Sequence, residues 1–107
     1  MIENTEELKK FLESLKEENI KFRDHFYKKK EEDRNYLDEN FIIENVRKVD
    51  NLLGFQKQIV KGEERYRIGF EISNKYKLVI VATVDTKNLY IITAWKTNRK
   101  WQKSIQK

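Results

Sequence analysis

The sequence of 107 residues contains one histidine, His25, and this side chain is the candidate for acid–base chemistry. An imidazole changes its charge near neutral pH, and its neutral form can accept a proton as a general base. His25 follows the alternating segment Ile20–Arg23, which places it just after a short predicted strand and at the start of a predicted helix. A lone histidine is also commonly an ordinary surface or helix-cap residue, and position alone leaves both roles open.

Side chains that could hold a phosphate occur in two later segments. Arg65 and Arg67 alternate with apolar residues, so both project from the same side of one predicted strand, where guanidinium groups could bind a phosphate through paired N–H donors. Thr93 lies among large apolar residues and could donate a hydrogen bond to the same group. An exposed sheet face would carry arginines in any case, and threonine is a favoured strand residue, so both features also have purely structural explanations.

The C-terminal segment 96–103 combines cations with an aromatic ring and contains no acidic residue. Arg99 and Lys100 could neutralise phosphates, and Trp101 could stack on a base, which together predict binding of single-stranded nucleic acid. The alternative is a basic chain end whose tryptophan packs back on the core.

Charge is distributed unevenly along the chain. Residues 1–50 hold 11 Lys/Arg against 14 Asp/Glu, whereas residues 51–107 hold 12 against 4, and the net charge of the whole chain is +5. A basic half on so small a protein attracts polyanions, of which nucleic acid is the commonest in cells. Solubility alone is the other explanation of the charge.

Several classes of site are excluded by composition. The chain has no cysteine, so it cannot form disulfides, thiolate metal sites or a cysteine nucleophile. It also has no phosphate-binding glycine-rich loop, no dinucleotide fingerprint and no paired-histidine zinc motif, so we expect no cofactor and no metal. No apolar run is long enough to span a membrane, and the start of the sequence is acidic, so we expect no membrane association and a cytoplasmic location.

The elements that would position these residues begin with three helices. Asn4 followed by Glu7 predicts a capped helix over residues 5–19, and Ile20–Arg23 predicts a short strand or a break. Asp24 can cap a second helix that continues through residues 28–32. Asp38 can cap a third, whose apolar stripe extends to Gly54.

Beyond Gly54 the apolar period changes from helical to two, which predicts four strands near residues 55–60, 65–72, 76–84 and 89–96, with a turn of four residues at 61–64 between the first two. The sequence therefore predicts a single α+β domain over residues 1–107, with N-terminal helices packed on a four-stranded antiparallel meander. Its parts are a helix (1–19), a short strand with helices (20–54), the sheet (55–96) and a basic tail (97–107).

Three short segments, in this order, resemble the barnase/EndoU/colicin/RelE-like (BECR) superfamily of small ribonucleases: Ile20–His25, Tyr66–Phe70 and Leu89–Trp95. The resemblance covers roughly residues 20–101 and leaves the first helix outside. It implies helices on an antiparallel sheet and cleavage of RNA without a metal ion at a site on the sheet. Members often act as toxins, which would make RNA the substrate and an acidic antitoxin protein a partner.

The resemblance also implies roles for individual residues. His25 matches the early histidine, Arg67 the basic residue in a sheet strand and Thr93 the hydroxyl of a late strand, while Lys96 would add a phosphate contact. A second arginine or histidine that many relatives have near the helices is matched only by Arg47. The implied reaction is transesterification, in which His25 takes the proton of a ribose 2′-hydroxyl and the cations stabilise the charged phosphorane.

Two other functions remain open from the sequence. One is a non-catalytic module that binds RNA or single-stranded DNA with the same basic sheet and tail. The other is a protein-interaction domain that docks a partner on its acidic first helix.

Overall fold

A computed structural model describes residues 2–32 and 37–98 of the chain. The helices are α1 (Thr5–Ser14), α2 (Asp24–Glu32) and α3 (Glu39–Val46), with short 3₁₀ turns at Glu17–Asn19 and Val49–Asn51. The strands are β1 (Ile20–Phe22), β2 (Leu52–Val60), β3 (Glu63–Glu71), β4 (Lys77–Val84) and β5 (Leu89–Thr97). The predicted α+β class is confirmed.

Two of the three predicted caps, Asn4 and Asp38, are present, whereas Asp24 is itself the first residue of α2. The Asn4 side chain accepts a hydrogen bond from the Glu7 amide at 2.9 Å, and the Asp38 carboxylate accepts from the Asn40 and Phe41 amides. These contacts satisfy amides that have no partner within the first turn of a helix. α1 is shorter than the predicted helix over 5–19, because Leu15 adopts an extended conformation after Ser14.

The predicted extension of the third helix to Gly54 is wrong. α3 ends at Val46, and Leu52 already pairs with Phe70 of the neighbouring strand. The apolar residues at positions 49, 52 and 53 are compatible with the apolar side of a helix and also with a strand. Pairing with β3 decides the outcome, because the sheet supplies backbone partners that an isolated helical turn would lack.

The sheet has five strands in the order β1-β5-β4-β3-β2, so the predicted four-stranded antiparallel meander is correct only for its four later strands. Each of the strands β2 to β4 pairs antiparallel with the strand that follows it in the chain. β1 instead pairs parallel with β5, and Ile20 lies opposite Leu89. A segment of three residues carries too little pattern to indicate its partner. The hydrogen bonds between β1 and β5 continue one residue beyond β1, because the Arg23 amide donates to the Ile91 carbonyl at 2.9 Å.

The turn between β2 and β3 contains two residues, not the predicted four. Lys61 and Gly62 have φ angles of 53° and 79°. Positive φ at both central residues is the signature of a type I′ turn, whose twist matches that of the flanking strands. Because the turn is shorter than predicted, Glu63 is the first residue of β3.

One face of the sheet forms the core with the helices. The buried cluster joins side chains of alternate strand positions with side chains from all three helices. On the helices, the least exposed members include Leu8, Leu12, Phe26, Ile42 and Val46. On the strands, they include Phe55, Tyr66, Ile68, Phe70, Leu78, Ile80, Leu89 and Ile91. Because successive residues of a strand point to opposite faces, the arginines of β3 lie on the other side, which we call the polar face.

Among the residues that the structure describes, no helix has both the length and the apolar character needed to cross a membrane.

Candidate functional site

The polar face is organised as rows of residues that run across the strands. One row contains Gln56, Arg67, Val81 and Thr93, which are paired in that order from β2 to β5. The next row contains Gly54, Gly69, Val79 and Trp95. Rows on one face are separated by two residues, or about 7 Å along a strand. Arg67 and Thr93 therefore share a row, and Trp95 lies one row away.

A pocket of about 420 Å³ opens where β1 passes into α2, and Arg23, Asp24, His25, Arg65 and Ile92 line it. Arg23 and His25 come from the end of β1 and the first turn of α2, and Arg65 comes from β3. Ile92 occupies a bulge in β5, since Ile91 pairs with Ala82 and Thr93 with the preceding residue, Val81. Bulges commonly redirect side chains next to functional sites.

Glu63 connects the two arginines of the pocket. Its carboxylate accepts two hydrogen bonds from the Arg23 guanidinium, at 3.2 and 2.8 Å, and one from Arg65 Nε at 3.0 Å. β5 and β4 separate β1 from β3 in the sheet, a distance of about 14 Å at the usual strand spacing. The Arg23–Glu63 ion pair therefore reaches across the polar face and fixes both arginines at one place.

This arrangement also determines the charge of Glu63. Hydrogen bonds from Arg23, and then from Arg65, hold the pKa of the Glu63 carboxyl below its usual value. The carboxylate thus remains ionised at neutral pH and occupies a position where two guanidinium groups converge on one anion. Such a convergence is the geometry that binds carboxylate or phosphate in proteins.

Arg67 and Trp95 form a second group on the polar face. The Arg67 guanidinium carbon lies 5.8 Å from the centre of the Trp95 ring, within the range of a cation–π contact. Trp95 is 37% exposed, although it belongs to a strand whose residues Ile91 and Ile92 are buried.

The structure thus brings together most of the predicted site residues that it describes. His25 and Arg65 line one pocket, and Arg67 and Thr93 lie on the same sheet face. Lys96 does not join them. It pairs with Leu78 of the core face, and its ammonium group lies 4.7 Å from the centre of the Tyr76 ring.

Three predicted nucleic-acid-binding residues, Arg99, Lys100 and Trp101, lie outside the described residues. Arg47, the match for a second basic residue near the helices, follows α3 and lies 3.9 Å from Glu17. It is therefore engaged at the helices and does not line the pocket.

Sequence reasoning missed two residues of this face, Glu63 and Trp95. Glu63 was assigned to a turn, although the alternation of residues 63, 65 and 67 would have placed it beside the arginines. Trp95 alternates with Thr93 in the same way. Extending the alternation of the second predicted strand back by two residues would have found Glu63, and applying the alternation within the last predicted strand would have found Trp95.

Within the described part of the chain, no group of three or more acidic or histidine side chains could hold a metal ion. Comparisons with protein-family models, with curated proteins and with solved structures found no match to this chain.

Proposed function

We propose that this protein is a metal-independent endoribonuclease, which binds single-stranded RNA on its polar face and cleaves it at the pocket that contains His25. The observation that carries the proposal is the meeting of the single histidine with Arg23 and Arg65 in one pocket. A side chain able to exchange protons thus lies beside two side chains able to bind a phosphate, and these are the groups that phosphodiester cleavage requires.

The charge of the polar face supports binding of a polyanion. By strand alternation it carries the cations Lys21, Arg23, Arg65, Arg67 and Lys77 against the acids Glu63 and Glu71. One of the two acids, Glu63, is already paired with Arg23 and Arg65. The resulting excess of positive charge attracts the phosphate backbone without regard to sequence.

The proposed reaction is an attack by the ribose on its own phosphate. His25 accepts the proton of the 2′-hydroxyl, the 2′-oxygen bonds to phosphorus, and the bond from phosphorus to the 5′-oxygen breaks. The leaving oxygen takes a proton from water, and His25 returns its proton to the solvent. The products are a 2′,3′-cyclic phosphate and a 5′-hydroxyl end.

The arginines and the threonine would act on the charge of the phosphate. Arg65 lies in the pocket and Arg67 in the next row, so their guanidinium groups can stabilise the charge that grows on the non-bridging oxygens. Thr93 shares a row with Arg67 and can donate its hydroxyl hydrogen to the same phosphate. Lys96 has no part in this step, because it lies on the core side of β5.

The test is incubation of the purified protein with a single-stranded RNA oligonucleotide in EDTA, beside a DNA oligonucleotide of the same sequence. We expect cleavage of the RNA alone, because DNA lacks the attacking hydroxyl. The RNA product should carry a 2′,3′-cyclic phosphate, detectable by mass spectrometry. Intact RNA, or equal cleavage of both strands, would contradict the proposal.

A non-catalytic RNA-binding module is the second candidate, and one observation favours it. Glu63 already occupies the place where Arg23 and Arg65 converge, so these arginines could serve to shape the face without contacting a reacting phosphate. This function predicts salt-sensitive binding of RNA and of single-stranded DNA without turnover. The RNA and DNA comparison above separates the two candidates.

A toxin role is part of the proposal. An enzyme that cleaves cellular RNA would act in the cytoplasm, and its producer would need an inhibitor. The positive polar face suits an acidic antitoxin protein, which would compete with RNA for the same arginines.

A further inference from the structure

Trp95 is one of three large apolar side chains in the described residues that are exposed, together with Tyr27 and Ile59. A single exposed apolar side chain needs no functional explanation by itself, so the surroundings of Trp95 and not its exposure carry the argument. Its position separates it from the other two. Tyr27 lies in α2 and Ile59 near the end of the edge strand β2, whereas Trp95 lies on the polar face beside the proposed substrate site.

The surroundings of Trp95 match the chemistry of a nucleotide. The Arg67 guanidinium carbon lies over the Trp95 ring, 5.8 Å from its centre, so a cation able to bind a phosphate and an aromatic ring able to stack on a base meet at one place. Thr93 lies about 7 Å away along the same strand and face. Single-stranded nucleic acid is bound by this combination of cations along the backbone and aromatic rings against the bases.

We infer that Trp95 is a nucleobase-stacking site, which takes an unpaired base of the RNA whose neighbouring phosphate is held by Arg67 and the His25 pocket. The inference rests on the proposed function for the identity of the substrate, and it adds a binding residue and a reason for single-strand selectivity. A base inside a duplex is already stacked on both sides and cannot offer its face to the indole. Every base has such a face, so this site favours single-stranded over double-stranded RNA and has no preference for a particular base.

The experiment measures binding of the wild-type protein to an RNA oligonucleotide whose 2′-hydroxyls are methylated, so that the reaction cannot proceed. Fluorescence anisotropy at fixed low salt compares wild type with Trp95→Ala and Trp95→Phe. We expect about tenfold weaker binding for Trp95→Ala, in line with the effect of removing one stacking side chain. Trp95→Phe should lie between, because phenylalanine keeps a smaller aromatic face. Ile59→Ala is the matched control, since it also removes an exposed apolar side chain from the sheet and should bind as wild type does.

A second ligand separates stacking from a general effect on the surface. An oligonucleotide of the same length made of abasic nucleotides keeps its phosphates but has no bases. Wild type and Trp95→Ala should bind it with equal affinity. The inference is overturned if Trp95→Ala binds the methylated RNA as tightly as wild type, or if the variant loses the same factor with the abasic strand. Trp95→Phe keeps the test decisive if Trp95→Ala fails to fold.

Failure of the inference and failure of the proposed function give different results. Cleavage of ordinary RNA with no loss of binding in Trp95→Ala would remove the stacking site and leave the ribonuclease intact. Stacking-dependent binding of the methylated strand with no cleavage of ordinary RNA would retain the site on a non-catalytic RNA-binding protein.

Discussion

Glu63 determines how the two arginines of the pocket are placed, and it does so through three hydrogen bonds at 2.8 to 3.2 Å. A carboxylate held by two guanidinium groups is more stable in its ionised form, and the lowered pKa of Glu63 is the expression of that preference. Protonation would weaken all three contacts. The arrangement of Arg23 and Arg65 should therefore depend on pH in the acid range.

This dependence predicts how stability changes with pH. Because the folded-state pKa of Glu63 is lowered from 4.5, its contribution to the free energy of unfolding is present above about pH 4.5 and is lost as the pH falls through the folded-state value. Glu63→Gln should therefore be less stable than wild type at pH 7, and the difference should shrink toward pH 3. Urea unfolding at both pH values measures it. Glu71→Gln, an exposed position on the same face of β3, controls for the loss of one negative charge, and an identical pH dependence in the two variants would contradict the assignment.

The chemistry of the pocket could be predicted only in part from residue types. His25 could be found because it is the only histidine of the chain, Arg65 and Arg67 because strand alternation groups them, and Thr93 because it lies among large apolar residues. Glu63 could not be assigned to the site, because the predicted turn between the first two strands includes it. Lys96 was placed with the site by resemblance alone, although its neighbour Trp95 occupies the polar face and alternation therefore directs Lys96 to the core side.

β1 is the element that makes the pocket, and it is the shortest element of the sheet. Its three residues pair with β5, and Arg23 follows them and reaches across the polar face to Glu63. α2 begins at the next residue, so that His25 in its first turn also lines the pocket. Nothing in a segment of three residues predicts parallel pairing with a strand about 70 positions later. The four antiparallel strands were predictable, because turn residues separate four segments of strand length and apolar and polar residues alternate clearly in the second of them.

The β2–β3 hairpin offers a test at the scale of elements. Gly62 has a φ of 79°, and a Cβ added there would meet no atom within 4 Å, so Gly62→Ala should destabilise the protein through backbone strain alone, by about 1–2 kcal/mol. The neighbouring position is tested by Lys61→Gly, at a φ of 53°. This change should alter stability little, because the relief of backbone strain is offset by the greater freedom of glycine in the unfolded chain. Thermal unfolding of both variants measures the effects. Equal stability of Gly62→Ala and wild type would show that the turn has another conformation.

On the scale of the whole molecule, the sheet separates two kinds of surface. The core face receives the apolar sides of the three helices, and the polar face collects cations, one exposed tryptophan and the pocket with His25. Three of the twelve Lys/Arg of residues 51–107, namely Arg65, Arg67 and Lys77, lie on this face, and Lys21 and Arg23 join them from the first half of the chain. An excess of positive charge on one face attracts polyanions in general, and this is the property on which the proposed binding of RNA depends.

The central claim, that RNA is cleaved on the polar face, is tested most directly by the cleavage rates of two variants. His25→Ala removes the proposed base, whereas Lys96→Ala removes a cation on the core side of the same sheet. With single-stranded RNA in EDTA, we expect His25→Ala to lower the rate by a factor of about 100 or more and Lys96→Ala to retain nearly the wild-type rate. A wild-type rate in His25→Ala, or an equal loss in both variants, would contradict the account.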